Sequence, residues 1–93
     1  MALLLRVFTH PACSGCGAAV KMAWEATKDA EGIEMRTVAL ETKQGLAEAH
    51  REHIRTIPSM IITDGEQELR RFVGTPAPEE LLDALEMSND KEM

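Results

Sequence analysis

Two cysteines three positions apart, Cys13 and Cys16, are the only thiols in this 93-residue chain. With Ser14 and Gly15 between them they form a Cys-x-x-Cys pair, and His10 stands three residues before the first. Two chemistries use such a pair. A thiolate can attack a disulfide, with the second thiol resolving the mixed disulfide that results. Alternatively, two thiolates can hold a soft metal ion. A four-coordinate structural zinc site would want two further ligands. The chain has no second cysteine pair, and His50 and His53 lie far along the sequence, so no structural metal site is expected. His10 can modulate the Cys13 thiolate, since imidazole titrates near neutrality.

The elements around the pair give it a chemical setting. Leu3–Thr9 is a short apolar run with one Arg, which favours a buried strand. His10-Pro11 stops it, because Pro cannot donate to a ladder and restricts the residue before it. A helix is expected over about Cys16–Ala30, with Val20, Ala23, Trp24 and Thr27 at helical spacing and Gly32 placed to end it. The pair therefore falls at a strand-to-helix junction. The first turn of a helix carries unpaired N–H groups and a partial positive charge, which stabilise a thiolate. On this reading Cys13 is the nucleophile at the exposed edge, and Cys16, one turn later, is the resolving thiol.

Downstream, Ile33–Leu40 reads as a strand. Thr42 caps a helix that runs through His53, with Leu46, Ala49 and His53 or Ile54 facing inward and Gly45 weakening it. Met60–Thr63 and Glu68–Val73 are strands joined at Asp64-Gly65, a hairpin signal. Pro76 and Pro78 open a last helix with Leu81, Leu82 and Leu85 as its apolar stripe. Residues 88–93 are polar and are expected to fray. The order is β-α-β-α-β-β-α, an α/β class with a mixed four-stranded sheet flanked by three helices, in one domain spanning residues 1–93. Trp24, Met22, Met35, Met60 and Met87 are expected to be packing residues.

Composition narrows the partners. The net charge is −6, which argues against a phosphate-binding footprint. Phe8, Trp24 and Phe72 are the only aromatics, too few for a stacking platform. No stretch approaches the ~20 apolar residues of a membrane span, and no targeting segment is evident. These features imply no nucleic acid, no membrane, a monomer by default and a cytoplasmic location, where structural disulfides are rare.

The second half carries a resemblance. Ile54-Arg55-Thr56-Ile57-Pro58-Ser59 resembles the Ile-Arg-Gly-Ile-Pro-Thr run of thioredoxins, and Asp64-Gly65-Glu66 is similar to their Asn-Gly-Glu turn. The front, Val7-Phe8-Thr9-His10-Pro11-Ala12-Cys13, looks more like the glutaredoxins' strand, turn and first cysteine. The order of these pieces over nearly the whole chain resembles a small thioredoxin- or glutaredoxin-like redoxin of the thioredoxin superfamily. That resemblance implies the thioredoxin fold and an enzyme that reduces protein disulfides, with roles in electron transport and cell redox homeostasis and no cofactor. It implies a cis bond at Ile57-Pro58, across from the cysteines, where the Ile57 backbone would pair with a substrate strand.

The departures are specific. Ala12 replaces the thioredoxin Trp before the first cysteine, Ser14-Gly15 replaces Gly-Pro, and Val7 replaces the buried acid. Glutaredoxins carry Lys where His10 stands and often a Gly pair where only Gly74 is found, which makes glutathione the less favoured reductant and a thioredoxin reductase the preferred one. The alternatives are a soft-metal (Cu or Zn) binding or transfer module using the same two cysteines, and a redox-inactive interaction domain.

Overall fold

A computed structural model describes residues 3–89. Its elements are β1 (Leu3–Thr9), α1 (Cys16–Thr27), β2 (Ile33–Ala39), α2 (Lys43–Arg51), β3 (Ser59–Asp64), β4 (Gln67–Val73) and α3 (Pro78–Asn89). The strands form one sheet in the order β2-β1-β3-β4. β1 and β2 are parallel, as a strand–helix–strand crossover requires. β3 runs antiparallel to β1, and β4 antiparallel to β3. The expected mixed four-stranded sheet with three helices is therefore present.

β1 is central and buried on both faces, which is why its sequence reads as a nearly continuous apolar run. Alternate residues enter two separate cores. Leu5 and Val7 pack with Met60, Ile62 and Phe72 from the sheet, Ala19 and Ala23 from α1, and Leu81, Ala84 and Leu85 from α3. Phe8 turns to the other face and packs with Val38, Ile61 and Ala49 of α2.

That second face also buries Arg6, only 7 % exposed. Its guanidinium donates to Glu48 Oε2 of α2 at 2.7 Å and to Oε2 of Glu52, the residue that caps the end of α2, at 3.0 Å. Arg36 of β2 donates to the same Glu48 oxygen at 2.7 Å. Arg71 of β4 donates to the Glu52 carbonyl at 2.8 Å and to Glu68 at 2.9 Å. The Glu48 and Glu52 carboxylates thus pair with arginines from three strands, Arg71 reaching Glu52 Oε1 at 3.8 Å. An arginine buried with a single partner would carry a large desolvation cost; shared carboxylates offset it. The Arg6 guanidinium also lies 5.6 Å from the Phe8 ring centre, within cation–π range.

Several element limits differ from the sequence expectation. α1 ends at Thr27, and the chain reaches Gly32 (φ 79°), whose carbonyl accepts from Leu3 N–H. α2 ends at Arg51 because His53 takes φ 59°, a left-handed position that stops a helix. His50 and His53 therefore do not share a helix face. Ser88 and Asn89 continue α3 instead of fraying, and residues 90–93 lie outside the described residues. Trp24 and Met87 are corrected most sharply: they are 57 % and 72 % exposed, whereas Met60 is fully buried and Met22 and Met35 pack against the first core. Ala19, not Trp24, completes the inner stripe of α1 with Ala23 and Thr27. Leu46 and Leu82 likewise point outward, each more than two-fifths exposed.

Gly45 is a requirement and not a weakness. Thr42 Oγ1 accepts from Gly45 N–H at 2.9 Å, capping α2 as expected. A Cβ at Gly45 would overlap the Ala39 carbonyl, which is backbone and cannot move aside cheaply. Ala gains about 1 kcal/mol of helix propensity over Gly, but overpacking against fixed atoms costs about 1–3 kcal/mol or more. Gly45→Ala is expected to lower the urea midpoint of unfolding without changing the slope; a raised midpoint would refute the close contact.

The ion-pair network gives a pH dependence. Burial pushes the Glu48 carboxyl up, yet the hydrogen bonds and charges of Arg36 and Arg6 outweigh it and hold it below the ordinary 4.5. Glu68 is lowered from the same value by its hydrogen bond from Arg71, against a smaller opposing effect of burial. Both groups bind protons less readily in the folded state. Their stabilisation is whole above the ordinary carboxylate value and is lost as pH falls through the lowered ones. Urea midpoints measured from pH 7 downward should hold to about pH 5 and then fall; Glu48→Gln should flatten that fall.

Candidate functional site

β1 ends at Thr9, and the loop that follows carries the chain to the start of α1. Three contacts shape it. Cys13 N–H donates to the His10 carbonyl at 3.0 Å, Cys16 N–H to the Cys13 carbonyl at 3.3 Å, and Ala12 N–H to His10 Nδ1 at 3.0 Å. The last bond fixes the ring: Nδ1 accepts, so the neutral imidazole carries its proton on Nε2. His10 thus acts within the turn, as an acceptor for backbone.

Cys13 and Cys16 are joined in a disulfide, with Cα atoms 5.5 Å apart. Their exposures differ. Cys16 is 4 % exposed, inside the first turn of α1, whereas Cys13 is half-buried at the loop's edge. Gly15 precedes the helix with no side-chain cap, and no acidic residue stands in the first turn. No side chain therefore competes with sulfur for the N–H groups of this helix start. A Cβ at Gly15 or Gly17 would meet nothing within 4 Å, so the surface beside the cysteines is open.

A shallow groove of about 390 Å³ runs past the pair, lined by Thr9, His10, Cys13, Cys16, Val20 and Glu41 among others. Glu41 reaches it because Leu40 N–H donates to the Thr9 carbonyl at 2.8 Å, laying the segment after β2 beside the end of β1. Sequence reasoning did not single out Glu41; only the parallel pairing of β1 with β2 places it here. Val7, at the position of the missing acid, is wholly buried in the first core, so apolar packing stands there.

The Ile57-Pro58 bond is cis. Pro58 is buried, and its carbonyl accepts from Gly74 N–H at 2.9 Å. Ser59 pairs with Phe8, so β3 starts at the sheet end from which the cysteine loop leaves. Ile57 and Pro58 do not line the groove with His10 and the cysteines, but they lie at that same end. Among the described residues the Ile57 N–H and C=O make no hydrogen bond. No group of three or more His, Cys, Asp or Glu side chains with metal-ligand geometry occurs among the described residues.

No family model matches the chain. A curated relative from Archaeoglobus fulgidus, described as a probable thioredoxin, is 32 % identical over 62 residues, covering 67 % of this chain and 67 % of that protein. The chain belongs to the thioredoxin family. Solved thioredoxins share the fold at lower identity. Thioredoxin 1 of Thermosipho africanus superposes with a TM-score of 0.83 at 20 % identity, over 96 % of this chain and 97 % of that one. Thioredoxin O2 of Arabidopsis thaliana in its oxidized state gives 0.81 at 14 % identity, over 92 % and 74 % of the two chains. The thioredoxin-family membership and the Cys13–Cys16 disulfide together make this chain a thiol–disulfide oxidoreductase.

Within this thioredoxin-family site the part given to His10 is testable. Removing its ring leaves Ala12 N–H without an acceptor and loosens the turn that presents Cys13 to the helix start. His10→Ala is expected to slow iodoacetamide alkylation of Cys13 in the reduced protein near neutral pH by about two- to fivefold. Equal rates would remove His10 from the site.

Proposed function

We propose that this protein reduces disulfides in other proteins, with Cys13 as nucleophile and Cys16 as resolving thiol. The observation that carries the assignment is the difference in exposure between the two sulfurs' residues at one helix start. The Cys13 thiolate, favoured by the N–H groups of α1, attacks one sulfur of a substrate disulfide and expels the other as a thiolate. A mixed disulfide results. Cys16 then attacks Cys13 Sγ, the reduced substrate leaves as a thiol after taking up a proton, and the Cys13–Cys16 disulfide remains. Two electrons have passed to the substrate, and an external reductant returns the pair to thiols.

The free N–H and C=O of Ile57 support a role in binding an extended substrate strand, which would gain affinity from backbone pairing with little dependence on side chains. The closed disulfide supports dithiol chemistry over soft-metal transfer as the use of these cysteines. A cytosolic thioredoxin reductase is the reductant we favour over glutathione, given His10 and the single Gly at Gly74.

Two variants and one comparison test this. Cys13→Ser should abolish insulin reduction with dithiothreitol. Cys16→Ser should accumulate a mixed disulfide with insulin, visible as a mass adduct on Cys13. In a coupled assay, NADPH consumption through thioredoxin reductase should exceed that through glutathione and its reductase. Turnover surviving in Cys13→Ser would overturn the assignment of the nucleophile.

A further inference from the structure

Among the described residues one carboxylate lines the redox groove, that of Glu41, beside His10, Cys13 and Cys16. It belongs to the turn between β2 and α2, and that turn is pinned on both sides. Leu40 N–H donates to the Thr9 carbonyl at 2.8 Å. Thr42 Oγ1 donates to the Ala39 carbonyl at 2.8 Å and accepts from Gly45 N–H at 2.9 Å. The backbone around Glu41 is thus fixed, yet its side chain makes no hydrogen bond or ion pair among the described residues. No neighbour in the groove neutralises it. His10, the other titratable side chain there, uses its Nδ1 to accept from Ala12 N–H. Lys21 lines a separate groove with Glu25, and Lys43 and Arg55 are exposed and line neither.

Two fields therefore act on the Cys13 sulfur in opposite directions. The start of α1 favours the thiolate. A carboxylate across the groove disfavours it, because like charges oppose ionisation. Both groups reach solvent, so this opposition is screened, over about 8 Å at physiological ionic strength and about 3 Å at 1 M salt. The disulfide carries no charge and feels neither field. In the reaction the Cys13–Cys16 S–S bond forms, the substrate S–S bond breaks, and two electrons and two protons leave the pair for two substrate thiols. Stabilising the reduced form makes such a pair an oxidant. An interaction that raises the free energy of the thiolate alone does the reverse and favours giving electrons up.

We propose that Glu41 sets the redox poise of the Cys13–Cys16 pair: its carboxylate opposes the Cys13 thiolate across the groove, offsets part of the pull of the α1 start, and keeps the pair a reductant. The inference rests on the reading of Cys13 as the attacking thiol and deepens it. Glu41 acts through Cys13 as a positioning residue and takes no part in making or breaking bonds. Val7, inside the dry core, supplies no charge behind the pair. The acid that influences the sulfurs stands on the groove side instead.

The test reads Cys13 in the reduced protein. Iodoacetamide alkylation is followed from about pH 5 to about pH 9, with the adduct located by mass, in the wild type and in Glu41→Gln, Glu41→Asp and Glu41→Lys. Glu41→Gln should move the midpoint of the profile down, by the equivalent of an about two- to fivefold larger ratio of thiolate to thiol, the size of an exposed charge interaction. Glu41→Lys should move it further, and Glu41→Asp should keep most of the wild-type position. In about 1 M sodium chloride the profiles should converge. At equilibrium with dithiothreitol, Glu41→Gln should shift toward the dithiol by up to the same factor, or about 9–21 mV at about 30 mV per tenfold. Coincident profiles for the wild type and Glu41→Gln at low salt, a shift in the opposite direction, or a difference that survives high salt would overturn the role of Glu41 and leave the reductase reading intact. Alkylation of Cys16 ahead of Cys13 would instead defeat the assignment of the nucleophile, and the role of Glu41 with it.

Discussion

The buried Arg6 guanidinium is the constraint around which the site's walls are arranged. A charge in the middle of the central strand is tolerable only if carboxylates meet it, and Glu48 of α2 and Glu52 at its cap supply them. Those contacts fix how α2 lies across the sheet. Both ends of α2 feed the functional end of the molecule. Before it, the segment through Leu40 and Glu41 is drawn against Thr9 and enters the cysteine groove. After it, the chain runs through Ile54 and Ile57 to Pro58 and into β3, whose first residue pairs with Phe8. Arg36 and Arg71 extend the same clamp to both edge strands, so helix and sheet behave as one scaffold.

Against that scaffold the redox pair needs little else. A helix start offers N–H groups to a sulfur anion, and this one is not neutralised by any acidic side chain in its first turn. Cys13 is the more accessible of the two and Cys16 is enclosed, and the proposed division between attack and resolution rests on that asymmetry. What the site lacks is an acid behind the pair. Val7 belongs to a dry core with Ala19, Ala23 and Met60. The polar side chains beside the sulfurs, His10 and Glu41, border the open groove.

Much of this was legible in the sequence because it depends on local signals. The strand run at Leu3–Thr9, the turn residues at Asp64-Gly65, the Thr42 cap and the prolines before α3 each act within a few residues, and each element appears where those signals put it. Cys13, Cys16 and the Ile57-Pro58 bond were legible as motifs. The Arg6 clamp was not, since an Arg in an apolar run declares no partner; the only local trace was two Glu residues four apart, Glu48 and Glu52. Glu41 left no trace at all, because its position depends on strand pairing between distant segments. His53 misled because nothing local marks a non-glycine residue that takes a left-handed conformation.

The misreading of Trp24 is the most instructive. Helical periodicity puts Val20, Ala23, Trp24 and Thr27 on one broad face, and hydrophobicity alone cannot say where the buried stripe ends. The structure divides that face. Ala19, Ala23 and Thr27 turn inward, small enough for α1 to approach the sheet closely, and Trp24 falls just outside. A large residue at Ala23 would push α1, and with it the cysteine loop, away from β1; at Trp24 it costs only exposure. Close packing of α1 on the sheet and an exposed indole beside the redox groove follow from the same placement of small residues. A helix held tightly by alanines has its bulk left for the outer side.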